Sequence, residues 1–433
     1  MATLLKMFDG DFDFIKTEIP TGPEHKPQSV AEIDVPQAVL EDLALKTLYL
    51  CGALSVLELS EKTRLSFAVA EELFIKLRAE LLCQVTGMTG TIPHIAITSQ
   101  GRTRAIDLIA QSHYTGAAPV TLESYVQQTR KQSVQSVEVH AADVNRAFAH
   151  LVVDDETLRQ FGTALNSGAS IFLYGPAGVG KTTMAETLSR VLAVDEVWIP
   201  YAVEVDNQII TVYDPAIHRR MRESEPENHD DRWVLCHRPG VLVGGELTAE
   251  MLDLQFNTTT KFYVGPLQMK ANNGVLIIDD FGRQRLRPEE LLNRWIVPLD
   301  RRIDFLTLAG GKKIEIPFEM LIVFASNMDP ASLVDAAFLR RIQTKVKIGA
   351  CTDDQFCEIF RRVAKDKGVD ADPGAFYYLI DFVRGTLKQE LRSCYPRDIV
   401  NQVVWAARYE GKKPYLDHAS IAQAAASYFL TKS

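Results

Sequence analysis

The stretch ASIFLYGPAGVGKTTMAETLSRVL (residues 169–192) decides the fold of this chain. It opens with an apolar run, Ile171 to Leu173, which predicts a buried strand, and it closes with apolar residues at helical spacing. Between them lies GPAGVGKT, which has the GxxxxGK[ST] spacing of a phosphate-binding loop in the required strand–loop–helix context. The sequence therefore predicts an α/β fold in which this loop joins a strand to a helix.

The residue types in this loop suit a nucleoside triphosphate. Glycines allow backbone N–H groups to converge on phosphate oxygens, and the N-terminus of the following helix adds a favourable partial charge. Lys181 is expected to reach the terminal phosphates, and the Thr182 hydroxyl is expected to ligate Mg²⁺. The residues predicted to bind ATP are Gly175, Pro176, Ala177, Gly178, Val179, Gly180, Lys181, Thr182 and Thr183.

A second polar strand end follows the apolar run that begins at Gly274. Asp279 and Asp280 come directly after this run, and ligands bind at the carboxyl ends of strands in open α/β sheets. Asp279 is predicted to be the second Mg²⁺ ligand, and Asp280 is predicted to orient and deprotonate water. The alternative is that the two aspartates cap the next helix.

A third apolar run, Met320 to Ala325, ends at Ser326 and Asn327. An amide at the end of a buried strand is suited to holding the attacking water or to sensing the γ-phosphate. An ordinary turn residue before Asp329 is the alternative, because Asn favours turns.

Together these residues resemble the AAA+ family of ATPases, and the resemblance extends from about Val137 to the C-terminus. It implies that Asn327 is the sensor 1 residue. It also implies that the segment ending in Arg340 and Arg341 supplies an arginine finger to a neighbouring subunit, with Arg340 the first choice. In the same way, Cys394-Tyr-Pro-Arg397 is similar to the start of sensor 2, with Arg397 reaching the γ-phosphate. Solvated surface arginines are the alternative for all three.

The chain departs from the AAA+ pattern at Asp280, where many hydrolysing members carry Glu. The shorter side chain leaves the rate of hydrolysis open, and Glu246 is the next candidate for the base.

Two segments bear on the branch of the family. FYVGPLQMKANNG (262–274) resembles the same position in the magnesium-chelatase and MoxR-like branches, and RIDFLTLAGGKKIEIPF (302–318) predicts a hairpin before sensor 1. The long connection after the phosphate-loop helix includes HRRMRESEPENHDDRW (218–233), which predicts a charged surface excursion.

The remaining patterns predict the organisation of the chain. Helical periodicity followed by two short strands between residues 35 and 112 resembles a winged-helix domain. We predict a flexible leader at 1–34, this winged-helix-like domain at 35–112, a linker at 113–143, an AAA+ α/β core at 144–350 and a helical lid at 351–433. An exposed helix is the alternative for 113–143.

Composition limits the classes of function. The 433 residues include 47 basic and 56 acidic side chains, a net charge of −9, which argues against a dedicated nucleic-acid wrapper. Residues 1–130 hold 11 basic and 16 acidic side chains, so the N-terminal domain is expected to bind protein rather than DNA. Six cysteines without a CxxC pair, an N-terminus unlike a secretory signal and no apolar run of membrane length predict a cytoplasmic protein.

The resemblance and the motifs together predict an ATPase. We expect a homo-oligomeric ring, a hexamer by the resemblance, that remodels or assembles a protein partner. Two alternatives stay open: a slowly hydrolysing nucleotide-dependent switch or scaffold, and a DNA-associated ATPase tethered by the winged helix.

Overall fold

A computed structural model describes residues 22–23, 25–193, 195–221, 225–226, 228–333 and 336–429. The first part of the chain folds into a helical unit with a β-hairpin. Its elements are α1 (Gln37–Cys51), β1 (Leu54–Ser55), α2 (Val56–Thr63), α3 (Phe67–Ala79), β2 (Cys83–Thr89), β3 (Ile92–Ile97) and α4 (Ser99–Gln111).

The middle of the chain alternates strands with helices. Its elements are β4 (Val120–Thr121), α5 (Leu122–Lys131), α6 (Ala141–Phe148), α7 (Asp155–Ser167), β5 (Ile171–Tyr174), α8 (Lys181–Leu192), β6 (Glu196–Pro200), β7 (Ala202–Val205), β8 (Gln208–Thr211), β9 (Trp233–His237), β10 (Gly240–Val243), β11 (Gln255–Phe256), β12 (Tyr263–Val264), α9 (Leu267–Ala271), β13 (Val275–Ile278), α10 (Pro288–Arg294), α11 (Ile296–Arg301), β14 (Ile303–Thr307), β15 (Lys313–Pro317), β16 (Leu321–Ser326), α12 (Pro330–Leu333), α13 (Ala336–Leu339) and β17 (Thr344–Lys347).

The C-terminal part is mainly helical. Its elements are α14 (Asp353–Asp366), β18 (Asp370–Ala371), α15 (Ala375–Asp381), α16 (Cys394–Tyr409), β19 (Tyr415–Leu416) and α17 (His418–Tyr428).

A five-stranded parallel sheet forms the centre of the molecule, in the order β10-β13-β16-β5-β17. Every residue of β13 and of β16 is buried, as expected for strands covered on both faces. Because β5, β16 and β13 are neighbours and parallel, the polar residues that follow them meet at one edge of the sheet. This parallel sheet, followed in the chain by the mainly helical C-terminal part, confirms the predicted α/β fold class.

The N-terminal unit has the order of elements that the sequence predicts: three helices and then a hairpin. The strands pair in the order β1-β3-β2. Helix α2 begins where the Ser55 hydroxyl accepts a hydrogen bond from the Glu58 N–H and the Glu58 carboxylate accepts one from the Ser55 N–H. The assignment of this unit to the winged-helix class stays a prediction.

The prediction of a flexible leader at 1–34 is wrong for its C-terminal part. Residues 1–21 and 24 lie outside the described residues, but Val30 and Ile33 are buried in the core of the N-terminal unit. The Val30 N–H also donates to the Glu72 carboxylate at 2.8 Å. Apolar residues spaced between prolines were enough to attach this segment to the neighbouring helices.

The predicted linker at 113–143 is also wrong, because this segment contributes to a second sheet with the order β11-β12-β8-β7-β4. Strand β4 pairs with β7 in parallel, and α5 follows it. The buried Gln132 amide donates to the Trp198 carbonyl at 2.7 Å and to Asn273 Oδ1 at 3.0 Å. Polar residues that suggested an exposed connection therefore satisfy buried hydrogen bonds.

The charged excursion predicted at 218–233 is wrong for several of its side chains. His218, His229, Asp230 and Arg232 are all buried. Arg232 pairs with Asp230 at 2.7 Å and with Asp34 at 3.3 Å, so it connects the start of β9 to the N-terminal segment. The buried charges of Arg232 and Asp230 are tolerated because they pair with each other, and the His218 ring is satisfied by the Asp214 N–H and the Lys270 carbonyl.

The hairpin predicted at 302–318 is confirmed as β14 and β15, which pair antiparallel from Ile303 opposite Pro317 to Thr307 opposite Lys313. Gly311, with φ +82°, lies in the turn between them. No helix among the described residues combines the length and apolarity needed to cross a bilayer.

Candidate nucleotide-binding site

The loop between β5 and α8 has a backbone that requires glycine. Gly175, Gly178 and Gly180 have φ values of +146°, +81° and +91°, which L side chains rarely adopt. A Cβ atom on Gly175 would lie 2.0 Å from the carbonyl oxygen of Ile348, at the end of β17. Pro176, Ala177 and Val179 complete the loop, and Lys181, Thr182 and Thr183 form the first turn of the 12-residue helix α8.

Lys181 is buried inside this loop, with 7% of its surface exposed. Its ammonium group donates to the carbonyl oxygens of Gly175 at 3.0 Å and Pro176 at 2.8 Å, and to Asn327 Oδ1 at 2.6 Å. Burial lowers the pKa of Lys181, and the carboxylates of Asp279 and Asp280 act in the opposite direction. The lysine is therefore a cation held in place by three oxygen atoms.

Thr182 and Asp279 face each other across the edge of the sheet. The Thr182 hydroxyl donates to Asp279 Oδ2 at 2.8 Å, and Asp279 Oδ1 accepts the N–H of Asp280 at 2.9 Å. A hydroxyl and a carboxylate oxygen are the hard ligands that Mg²⁺ prefers. The donor set at this position therefore fits the predicted metal ion.

Asn327 connects the lysine to the second carboxylate. Its side-chain oxygen accepts from Lys181, and its Nδ2 donates to Asp280 Oδ1 at 3.2 Å. The structure thus brings five predicted site residues from three strand ends into one hydrogen-bonded cluster: Lys181, Thr182, Asp279, Asp280 and Asn327.

The backbone at Asp280 explains its residue type. Its φ is +48°, in the left-handed region. Asp and Asn occupy this region more readily than other residues with a Cβ, because their short polar side chains can form local hydrogen bonds. The left-handed backbone of the turn therefore accounts for Asp at a position where many AAA+ ATPases have Glu.

The three predicted arginines lie outside the cluster formed by Lys181 and the strand-end residues. Arg340 is exposed just after α13, while Arg341 Nε donates to both carboxylate oxygens of Asp300 at 3.0 Å. Arg397 lies in the first turns of α16, where it pairs with Asp398 at 3.1 Å and its side chain is 64% exposed. The hydrogen-bonded cluster described above therefore does not include Arg340, Arg341 or Arg397.

Comparisons with known proteins give a limited result. Residues 352–427 match a family described as a domain of unknown function, DUF8689. No curated protein matches the chain. The RuvB Holliday junction branch migration motor of Thermotoga maritima is similar in structure, with 14% identity and a TM-score of 0.37, covering 63% of this chain and 68% of that chain. NtrX from Brucella abortus in complex with ADP has 13% identity and a TM-score of 0.40, covering 76% of this chain and 67% of that chain. Similarities this weak carry no argument about activity.

Sequence reasoning missed a contact between the lid and the phosphate loop. The Cys394 N–H and the Ser393 hydroxyl both donate to the Gly178 carbonyl oxygen, at 3.0 and 3.2 Å. A Cβ atom on Gly178 would lie 2.6 Å from the Cys394 sulfur and 3.6 Å from Arg392 Cδ. The CYPR motif marks the start of this helix, but the hydrogen bonds to the loop come from Ser393 and Cys394 and not from Arg397.

Sequence reasoning also missed Gln284, whose side chain contacts the turn that carries Asp280. A polar residue in a loop gives no signal of its own in a single sequence. Only the folded turn shows that this glutamine binds backbone groups on both sides of Asp280.

Proposed function

We propose that this chain binds ATP with Mg²⁺ and hydrolyses it to ADP and phosphate, as an ATPase of the AAA+ type. The observation that carries the proposal is the cluster of Lys181, Thr182, Asp279, Asp280 and Asn327 beside a glycine loop at the N-terminus of α8. Phosphoryl transfer to water uses this set of groups: a cation, two hard metal ligands, a second carboxylate and an amide.

Each residue has a role that follows from its position. Loop N–H groups and Lys181 bind the phosphates, so that Lys181 exchanges its contact with Asn327 for phosphate oxygens. Thr182 and Asp279 would hold Mg²⁺, which when bound neutralises charge on the phosphates. Asp280 orients a water molecule and accepts its proton, and Asn327 fixes the carboxylate of Asp280 and senses the γ-phosphate.

The arginines complete the proposal. Arg340 is the first choice for a finger that acts on the nucleotide of a neighbouring subunit, because Arg341 is engaged by Asp300 in its own chain. Arg397 is expected to turn toward the γ-phosphate from the lid. A finger supplied by a neighbour requires a homo-oligomer, which we expect to be a hexameric ring.

The N-terminal unit is proposed to bind a protein partner that the ring remodels or assembles. Helix α3 exposes Ile75 (60%) and Phe67 (36%) beside the exposed carboxylates of Glu71 and Glu72. Exposed apolar side chains next to acidic ones favour protein over DNA, whose binding depends on neutralising phosphates. A titration with duplex DNA at low and high salt tests this choice, and strong salt-dependent binding would favour the DNA-associated alternative.

A slowly hydrolysing switch is the second candidate, and Asp280 favours it. The Asp280 side chain is one methylene shorter than that of Glu. Its carboxylate is therefore expected to contact the attacking water through a bridging water molecule, which slows hydrolysis.

Steady-state phosphate release, measured with and without Mg²⁺, tests the proposed hydrolysis. Lys181→Ala is the inactive variant, and Lys62→Ala, which removes an exposed lysine from α2, is its matched control. Metal-dependent release by the parent and the control but not by Lys181→Ala supports an ATPase. Tight ATP binding without release supports the switch, and the absence of ATP binding refutes both.

A further inference from the structure

The turn that follows β13 holds Asp280 in a conformation that needs support. A non-glycine residue with φ +48° is strained, and such residues persist only where the surrounding contacts fix them. The support therefore identifies which residues control the position of the Asp280 carboxylate.

Part of this support comes from the neighbouring strand β16. The Phe281 N–H donates to the Ala325 carbonyl at 2.8 Å, and the Ser326 hydroxyl donates to the Phe281 carbonyl at 2.6 Å. These two bonds fix the chain after Asp280. They do not act on the peptide group that precedes it.

Gln284 acts on that preceding peptide group. Its Nε2 donates to the carbonyl oxygen of Asp279 at 3.0 Å, and its Oε1 accepts the N–H of Gly282 at 2.8 Å. One planar amide thus connects the residue before Asp280 to the second residue after it. The φ angle of Asp280 depends on the orientation of the Asp279–Asp280 peptide plane, so this amide constrains the angle directly.

We propose that Gln284 is a positioning residue, which holds the Asp279–Gly282 turn so that the Asp280 carboxylate stays beside Asn327. The inference rests on the proposed function, because it assigns Gln284 a role in hydrolysis through Asp280. Gln284 does not contact Lys181 or Thr182 in the hydrogen bonds of the site, so phosphate binding is expected to be independent of it.

The experiment compares Gln284→Met with the parent chain. Methionine has a similar length and removes both hydrogen bonds. Because a misplacement of about 1 Å can cost about 100-fold in rate, we expect kcat to fall about 10- to 100-fold. The dissociation constant for ATP, measured by calorimetry, is expected to change less than about twofold. The two hydrogen bonds that are lost join Gln284 to the turn and do not hold the groups proposed to bind the phosphates.

A double-mutant comparison separates positioning from general damage. If Gln284 acts through Asp280, adding Gln284→Met to Asp280→Asn produces little further loss of kcat, because the residue that it positions has already been changed. Losses that multiply in the double variant would overturn the inference. Arg285→Ala, which removes an exposed neighbouring side chain, is the control and is expected to match the parent.

Amide hydrogen exchange provides a readout that does not depend on activity. The segment 279–284 is expected to exchange faster in Gln284→Met than in the parent and in Arg285→Ala. Unchanged exchange would refute the inference even if kcat fell. If the parent hydrolyses no ATP, the proposed function fails and the role in hydrolysis fails with it; if the parent is active and Gln284→Met is equally active, this inference alone fails.

Discussion

Replacing Asp280 is the most informative perturbation of the site. In Asp280→Asn the left-handed backbone is retained, because Asn tolerates φ +48° as well as Asp does. The amide oxygen of the new side chain can still accept from Asn327, whose Nδ2 lies 3.2 Å from the present carboxylate oxygen. We therefore expect the free energy of unfolding to change by less than about 0.5 kcal/mol, the range of substitutions that break no special feature.

Hydrolysis by Asp280→Asn is expected to fall, because an amide cannot accept a proton from water. General base catalysis contributes about 10²- to 10⁴-fold, which corresponds to about 3–5 kcal/mol in the activation barrier. The measurements are steady-state phosphate release at saturating ATP and calorimetric titration of ATP. A variant that hydrolyses ATP as fast as the parent would refute the catalytic assignment, and Glu246 would be the next candidate.

Asp280→Glu tests the backbone argument. Glu lacks the local hydrogen bonding that makes the left-handed region tolerable, so it is expected to cost about 1 kcal/mol of unfolding free energy. The longer side chain is also expected to overshoot Asn327, and kcat is not expected to rise. A faster Asp280→Glu variant of unchanged stability would show that the site merely lacked reach and that the turn does not select the residue.

Three further predictions concern binding, assembly and pH. Lys181→Ala should abolish ATP binding in calorimetry while the thermal melt shows a folded chain, because this ammonium group is the buried cation of the loop; unchanged affinity would contradict it. Mixing an Arg340→Ala, Arg341→Ala variant with Lys181→Ala should restore some hydrolysis if the finger acts between subunits, whereas a monomeric mass in saturating ATP would exclude this. Burial lowers the pKa of His218 to about 4, so between pH 6.5 and about 4 the unfolded chain binds a proton more readily than the folded chain. The free energy of unfolding should therefore fall as the pH drops through that window, by about 2 kcal/mol from pH 7 to pH 5. Denaturant unfolding at the two pH values measures this loss, and His218→Gln should reduce it.

Local patterns in the sequence predicted the strand–loop–helix at 169–192 and the hairpin at 302–318, because each depends on residues close together in the chain. The periodicity of apolar residues indicates a buried strand, and glycines mark backbone conformations that other residues rarely adopt. The meeting of Lys181, Asp279 and Asn327 could also be anticipated, since parallel strands place their carboxyl ends at one edge of a sheet.

The predictions that failed depend on contacts between distant residues. Gln132 and Arg232 look like surface residues from their local composition. The Gln132 amide is nevertheless satisfied by Trp198 and Asn273, and the Arg232 guanidinium contacts Asp34 and the Pro119 carbonyl, partners that no local pattern connects to them. Burial of a polar side chain depends on whether the fold supplies a partner.

The sequence alone determined the residue types on which the proposed chemistry rests, because residues suited to phosphate and Mg²⁺ are few and lie in a short motif and two strand ends. Only the tertiary structure decided how the second carboxylate is presented. The left-handed backbone at Asp280 and the amide of Gln284 that supports it arise from a turn closed by hydrogen bonds to β16 and to the following loop. A backbone angle depends on which partners the folded chain brings to each peptide group, and one sequence does not record those partners.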